Sequence, residues 1–438
     1  MTDIRTTPSP ERKPWLGGAK RFIMDVGMLL AGSASAQLIV VLAAPALARI
    51  FTPVHFAALA LLTSTFQIVS RFSSVKFETA IATGRNRPEM AALASAATVV
   101  LLTVTCLCAL GSFLMRPLLA GRIGEEAAQI FCIVLPLAVL TDGLIQIAVT
   151  WLVRWRQFAA VSTNEVIRNG SSVLTQGGLG IAGFLSSGLL VGHALGSSLA
   201  LLLLSRRPSV RELVQRVRGS SRRRMITVVR RFKDFPLYQT PKAMLNAANR
   251  NMPVILIAAY YSAAGTGFFF FALRLTALPA QLISQSLGRV LLQRFANHWL
   301  KHKQSLVRPL AKCTLIFLLP AVPLVAIMFF FGEELFAIFL GEQWRVSGQM
   351  AVWTSLWSAA LIVTTPSQMV MIVLRGNRAA LILEALFLPF RLLPFPLLAG
   401  GGDVMPAIAA CAIAAFLFNM SMIAAAFVTA HRRARAIR

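Results

Sequence analysis

The chain has 438 residues, 57% hydrophobic and only 13% charged, with a mean hydropathy of +0.70. A soluble domain carries about 25% charged residues, so half of the usual polar coat is missing; this excludes disorder and an ordinary soluble enzyme, and calls for lipid over much of the surface. The formal charge of +27 and the pI near 11.6 would signal nucleic acid in a soluble chain, but cytoplasmic loops of membrane proteins collect Lys and Arg, and no nucleic-acid partner is expected.

A helix needs about 20 mostly apolar residues to cross the hydrocarbon core. By that measure a basic tail, 1–21, precedes spans near 24–47, 54–75, 90–114, 127–150, 158–183 and 186–204. The first of these has the look of a signal peptide, with Arg21 ahead of an apolar run and the small triplet Ala34-Ser35-Ala36. Asp25 interrupts that run and the apolar stretch continues to Ala48, so an uncleaved span is expected. A basic stretch, 205–235, follows, with 11 Lys and Arg against Glu212 and Asp234. Within it Val210, Leu213, Val214 and Val217 recur at helical spacing. Two readings are open, an interfacial helix on anionic lipid and a solvated linker between halves.

Six more spans come near 236–260, 266–289, 309–331, 347–373, 379–399 and 404–428, before a basic tail, 429–438. The expected fold is all-α and integral to the membrane: about 12 transmembrane helices in two six-helix lobes, 22–204 and 236–428, around a central cavity. Both lobes open on a long helix, a tight turn and a polar-punctuated second helix, the kind of internal repeat on which rocking transporters are built. With the amino terminus placed inside, 34 Lys and Arg fall in cytoplasmic segments and four (Arg49, Arg116, Arg122, Arg345) on the other side. That bias is the one expected for both termini cytoplasmic. No loop on the opposite side exceeds roughly 15 residues on this span ruler, which leaves no room for an extracytoplasmic catalytic domain.

Motifs for enzymatic chemistry are missing. Gly177-Gly178-x-Gly180 has no preceding strand, there is no P-loop, and the five cysteines lie in apolar runs without a CxxC pair. His298 and His302 lack the HExxH context of a zinc site, so neither a metal nor a cofactor is expected. Gly188, Gly192 and Gly196 form a GxxxGxxxG run suited to close helix packing.

The informative residues are polar groups at membrane depth, where an Arg, Lys or Asp costs on the order of 2.5–3.5 kcal/mol on insertion scales and must meet water or a partner. Span 2 carries Gln67, Ser70, Arg71, Ser74 and Glu78 at helical spacing. Span 5 carries Glu165, Arg168, Asn169, Ser172 and Gln176. Span 7 carries Lys242, Asn246, Asn249 and Arg250, and span 8 carries Arg274, Gln281 and Gln285. Arg71 and Glu78 sit close enough to a span end to snorkel instead, and Glu165 with Arg168 could form a local ion pair. Arg250 and Arg274 have no acid within a helical turn. Asp142, Glu384 and Arg391 are lesser candidates. A cavity edged with guanidinium groups suits phosphate oxygens, and Asn and Gln suit sugar hydroxyls.

At this point the sequence resembles a known family. Arg49-x-x-Thr52-Pro53, then Phe56 and Lys76-Phe77-Glu78, are similar to the amino-terminal signature of polysaccharide repeat-unit flippases. The runs beginning at Asp234 and Gly267, and the turn Phe339-Leu340-Gly341 with Trp344 and Gly348, resemble that family's second half. The resemblance covers nearly the whole chain past residue 22 and implies the multidrug/oligosaccharidyl-lipid/polysaccharide exporter superfamily. It implies a non-enzymatic carrier in the bacterial inner membrane that moves a lipid-linked oligosaccharide on undecaprenyl diphosphate. The lipid bilayer, a polysaccharide polymerase and glycosyltransferases are the partners implied, and Arg49 joins the cavity candidates as part of the signature.

Overall fold

The computed structural model describes residues 16–81, 84, 86–232, 235–302, 305–374 and 376–435. The described residues fold into helices joined by short turns. In the first half these are α1 (Leu16–Ile50), α2 (Pro53–Ser70), the short α3 (Phe77–Ile81), α4 (Arg87–Leu114), the short α5 (Arg116–Ile123), α6 (Glu125–Arg154), α7 (Phe158–Ile181) and α8 (Ser186–Ser205). The breaks follow local chemistry. Thr52 precedes Pro53 at the first position of α2, where the missing N–H costs nothing. Asn86 caps α4 by accepting a hydrogen bond from the Glu89 N–H at 2.9 Å.

The basic stretch forms α9 (Pro208–Arg218) and α10 (Arg222–Arg231). Val210, Leu213 and Val228 are buried; Leu213 and Val228 pack with Leu93 and Ala97 of α4 and Trp151 of α6. Val210 and Leu213 of the stripe therefore face protein while Val214 stays exposed, so the stretch is no free linker.

The second half consists of α11 (Thr240–Tyr260), α12 (Ala263–His302), α13 (Val307–Leu340), α14 (Arg345–Val373), α15 (Asn377–Leu392), the short α16 (Pro394–Leu397) and α17 (Met405–Arg435). Hydroxyl pairs join its two central helices: Thr276 to Thr354 at 3.0 Å and Ser284 to Thr365 at 2.8 Å. Such bonds and small residues hold helices together where no hydrophobic drive separates protein from lipid. In the first half Gly192 and Gly196 do the same work. A side chain on either would strike Gln176 or Ser172 of α7, so the glycine run serves packing within the bundle. Across the two halves α12 meets α2, and a Cβ on Gly267 would overlap the carbonyl of Pro53.

Nine helical segments among the described residues are long and apolar enough to cross a membrane. Against the 12 spans read from the sequence, the remaining three are α1, α7 and α11. α1 has 35 residues, and α7 and α11 have 24 and 21. These two carry Glu165, Arg168, Lys242 and Arg250, and that polarity, rather than their length, separates them from the nine.

Candidate functional site

A cavity of about 850 Å³ lies between the helices, lined from both halves of the chain. Residues of α1, α2, α6, α7, α8, α11, α12 and α14 all reach it. Of the residues singled out from sequence, Arg71, Glu78, Glu165, Arg168, Arg250, Arg274 and Gln281 line it.

Arg71 caps the end of α2, and its side chain reaches the cavity. Beyond it Val75 and Lys76 both adopt left-handed backbone, φ 50° and 62°, a conformation uncommon outside glycine. This turn folds Lys76 and Glu78 back toward the cavity, where they pair at 3.3 Å; the Ser74 hydroxyl also donates to Glu78. Strain of this kind concentrates where geometry serves function.

Arg168 meets Asp142 of α6 at 3.0 Å, a carboxylate 26 residues away on another helix. The local pairing with Glu165 three residues away gives place to this contact between helices, and Asp142 becomes part of the cavity wall. Asp142 is almost enclosed and Arg168 a third exposed. Arg274 projects into the cavity from α12 with its guanidinium 5.5 Å from the Phe270 ring centre, and no carboxylate lies within ion-pair distance of it among the described residues. Arg250 is exposed to the same space from α11.

Other candidates lie elsewhere. Arg49 is exposed and lies outside the cavity. Lys242 and Asn246, on the first turns of α11, are exposed and do not line it either. Asn249 is buried in a separate cluster: it donates to Glu384 at 3.1 Å and accepts from Arg391 at 3.2 Å. Arg391 in turn stacks 4.5 Å over the Trp357 ring. The cluster ties α15 to α11 and α14, a structural task. The side chain of Gln285 lies outside the described residues. Cavity residues not picked out from the sequence include Gln146, His193, Trp357 and Gln368.

One end of the cavity is closed by aromatic rings supplied by both halves. Phe56 packs against Phe271 at 4.6 Å and Trp344 at 5.5 Å, and Phe271 against Trp344 at 4.5 Å. Trp344 is fully buried, and its indole N–H donates to the Ala48 carbonyl at 3.0 Å. The signature residues at 49–56 and 339–344 thus meet in space, and Phe56 and Phe271 form the cavity's end wall.

The charges on the wall can be counted. Arg71, Lys76, Arg168, Arg250 and Arg274 supply five positive charges, and Glu78, Asp142 and Glu165 three negative ones. With His193 neutral, the formal balance among the described residues is two positive charges. No group of three or more His, Cys, Asp or Glu that could hold a metal occurs among the described residues.

The helical architecture is shared with solved transporter structures. A structure of the lipid II flippase MurJ in an inward closed conformation matches with a TM-score of 0.70 at 10% identity, covering 95% of this chain and 90% of that one. An inward-facing multidrug resistance transporter of the MATE family matches at 0.65 with 15% identity, covering 95% and 98%. A transporter of the same superfamily from Pyrococcus furiosus matches at 0.53 with 14% identity, covering 94% and 95%. The protein is a multi-pass membrane protein with this fold, and these neighbours are carriers rather than enzymes. The family model for polysaccharide biosynthesis proteins matches residues 46–349, and the chain belongs to that family. None of the curated proteins matches the sequence at a significant level.

Proposed function

We propose that the protein is a flippase that moves undecaprenyl-diphosphate-linked oligosaccharide repeat units across the bacterial inner membrane by alternating access, supplying O-antigen or exopolysaccharide synthesis. The observation that carries this reading is the charge of the cavity. A lipid-diphosphate-sugar is a diester with two negative charges, and the cavity wall bears two uncompensated positive ones. Arg274 and Arg250 would hold the diphosphate, since a planar guanidinium matches phosphate oxygens in pairs. Gln281, Asn169 and Gln146 would meet sugar hydroxyls. The lipid tail would remain in the bilayer while the headgroup passes through. Membership of a polysaccharide biosynthesis family and likeness to a lipid II flippase support the same substrate class. Both termini would be cytoplasmic, with α1, α7 and α11 spanning the membrane as cavity-facing helices.

The test is deletion of the gene followed by analysis of radiolabelled lipid extracts. Lipid-linked repeat units should still be made but stay on the cytoplasmic leaflet, protected from glycosidase added outside. Loss of the lipid-linked sugar itself would point to an enzyme instead. A cation-coupled drug exporter, the main rival, would concentrate organic cations, which a net positive wall repels.

A further inference from the structure

We infer that the outward face of α9 and α10 is a binding surface for anionic phospholipid headgroups. Arg211, Arg218, Arg222, Arg223, Arg224 and Arg230 are all exposed there. No carboxylate lies within 4.0 Å of any of them among the described residues. The two acids of this surface among the described residues are already engaged: Glu212 with Arg87 and Arg216, and Glu89 with Arg231. What remains is a one-sign face on helices whose apolar side is fixed in protein.

The level of these helices identifies the partner. Arg87 pairs with Glu212 of α9 at 2.7 Å and lays its guanidinium 4.5 Å over the ring of Trp155. Trp155 ends the membrane helix α6 and is 40% exposed, a position typical of indoles at the membrane–water boundary. Only Arg206 and Arg207 separate α8 from α9. The helices are therefore held at the height of the headgroups rather than beyond them. Val214 and Ile226 are also exposed on the otherwise basic pair, 42% and 43%. Apolar side chains among arginines suit the boundary between headgroup and acyl chain. An acidic soluble partner would account for the arginines but not for this height. The inference is independent of what the cavity carries.

The experiment uses the full chain, extracted from the membrane with its bound lipid and examined by native mass spectrometry. The wild type should retain phosphatidylglycerol enriched over phosphatidylethanolamine relative to the membrane it came from. Replacing all six arginines by glutamine should remove that enrichment, and replacing them by lysine should keep most of it. Should the sixfold glutamine variant not insert, the two helices are altered separately, and each should lose part of the bound lipid. Unchanged enrichment in the glutamine variants would overturn the proposal. So would finding that the molecule lost is a diphosphate-linked lipid, or an acidic protein, rather than phosphatidylglycerol.

Discussion

Arg274 faces the cavity with an aromatic ring beside it and no acid partner among the described residues, so its function rests on what enters the space. Arg274→Lys keeps the charge but loses the planar fork and should reduce glycan export. Arg274→Ala should cost on the order of tenfold or more in substrate affinity, the worth of one charged hydrogen bond, and Arg274→Glu should abolish export. Complementation of export, paired with quantitation of inserted protein, decides this; normal export by Arg274→Glu at normal protein level would remove Arg274 from the site. The Asp142–Arg168 pair makes a different, asymmetric prediction. Asp142 is nearly enclosed while Arg168 reaches a wet cavity. Arg168→Met leaves a buried carboxylate unpaired, a situation that costs about 3–5 kcal/mol in a fully buried pair and less here because Arg168 is partly solvated. Asp142→Asn leaves an arginine that water can serve. Thermal unfolding in detergent should therefore show the larger loss for Arg168→Met, and equal losses would contradict the assigned geometry.

Among the elements, the aromatic end wall joins the first turn of α2 to α12 and to the turn before α14. Trp344→Ala removes a fully buried ring, at a cost of about 3–5 kcal/mol, from the contacts that join the two halves at this end. A cysteine placed at Ser358, which lines the cavity, in a cysteine-free background should then react faster with a thiol reagent applied from the wall's side. An unchanged rate would show that other contacts hold this end shut. The stripes on α2, α7 and α12 were readable from the sequence because each presents several polar residues along one line. On α11 the stripe led astray. Asn249 and Arg250 are neighbours about 100° apart on the helix, so one turns to Glu384 and Arg391 and the other to the cavity. Spacing within one helix cannot choose between those two sides. The Arg168–Asp142 contact and the meeting of Phe56 with Trp344 join residues far apart in sequence, and neither has a local periodicity to announce it.

For the whole molecule, the 34-to-4 distribution of basic residues predicts Ser220 and Gly341 on opposite sides of the membrane. Reporter fusions should read cytoplasm at Ser220 and periplasm at Gly341, and the same side at both would exclude the proposed topology. The net charge of the cavity wall has a further consequence, an electrical one. For the proposed carrier, a cavity loaded with a doubly negative headgroup is neutral and its reorientation would be indifferent to voltage. Empty, it carries two positive charges, each worth about 2.3 kcal/mol for every 100 mV of the field it crosses, and rocking moves them through a fraction of that field. A membrane that is negative inside would draw the empty carrier back toward the cytoplasm, resetting it for the next headgroup. In proteoliposomes, collapsing the potential should slow repeated turnover while leaving a single loaded translocation unaffected.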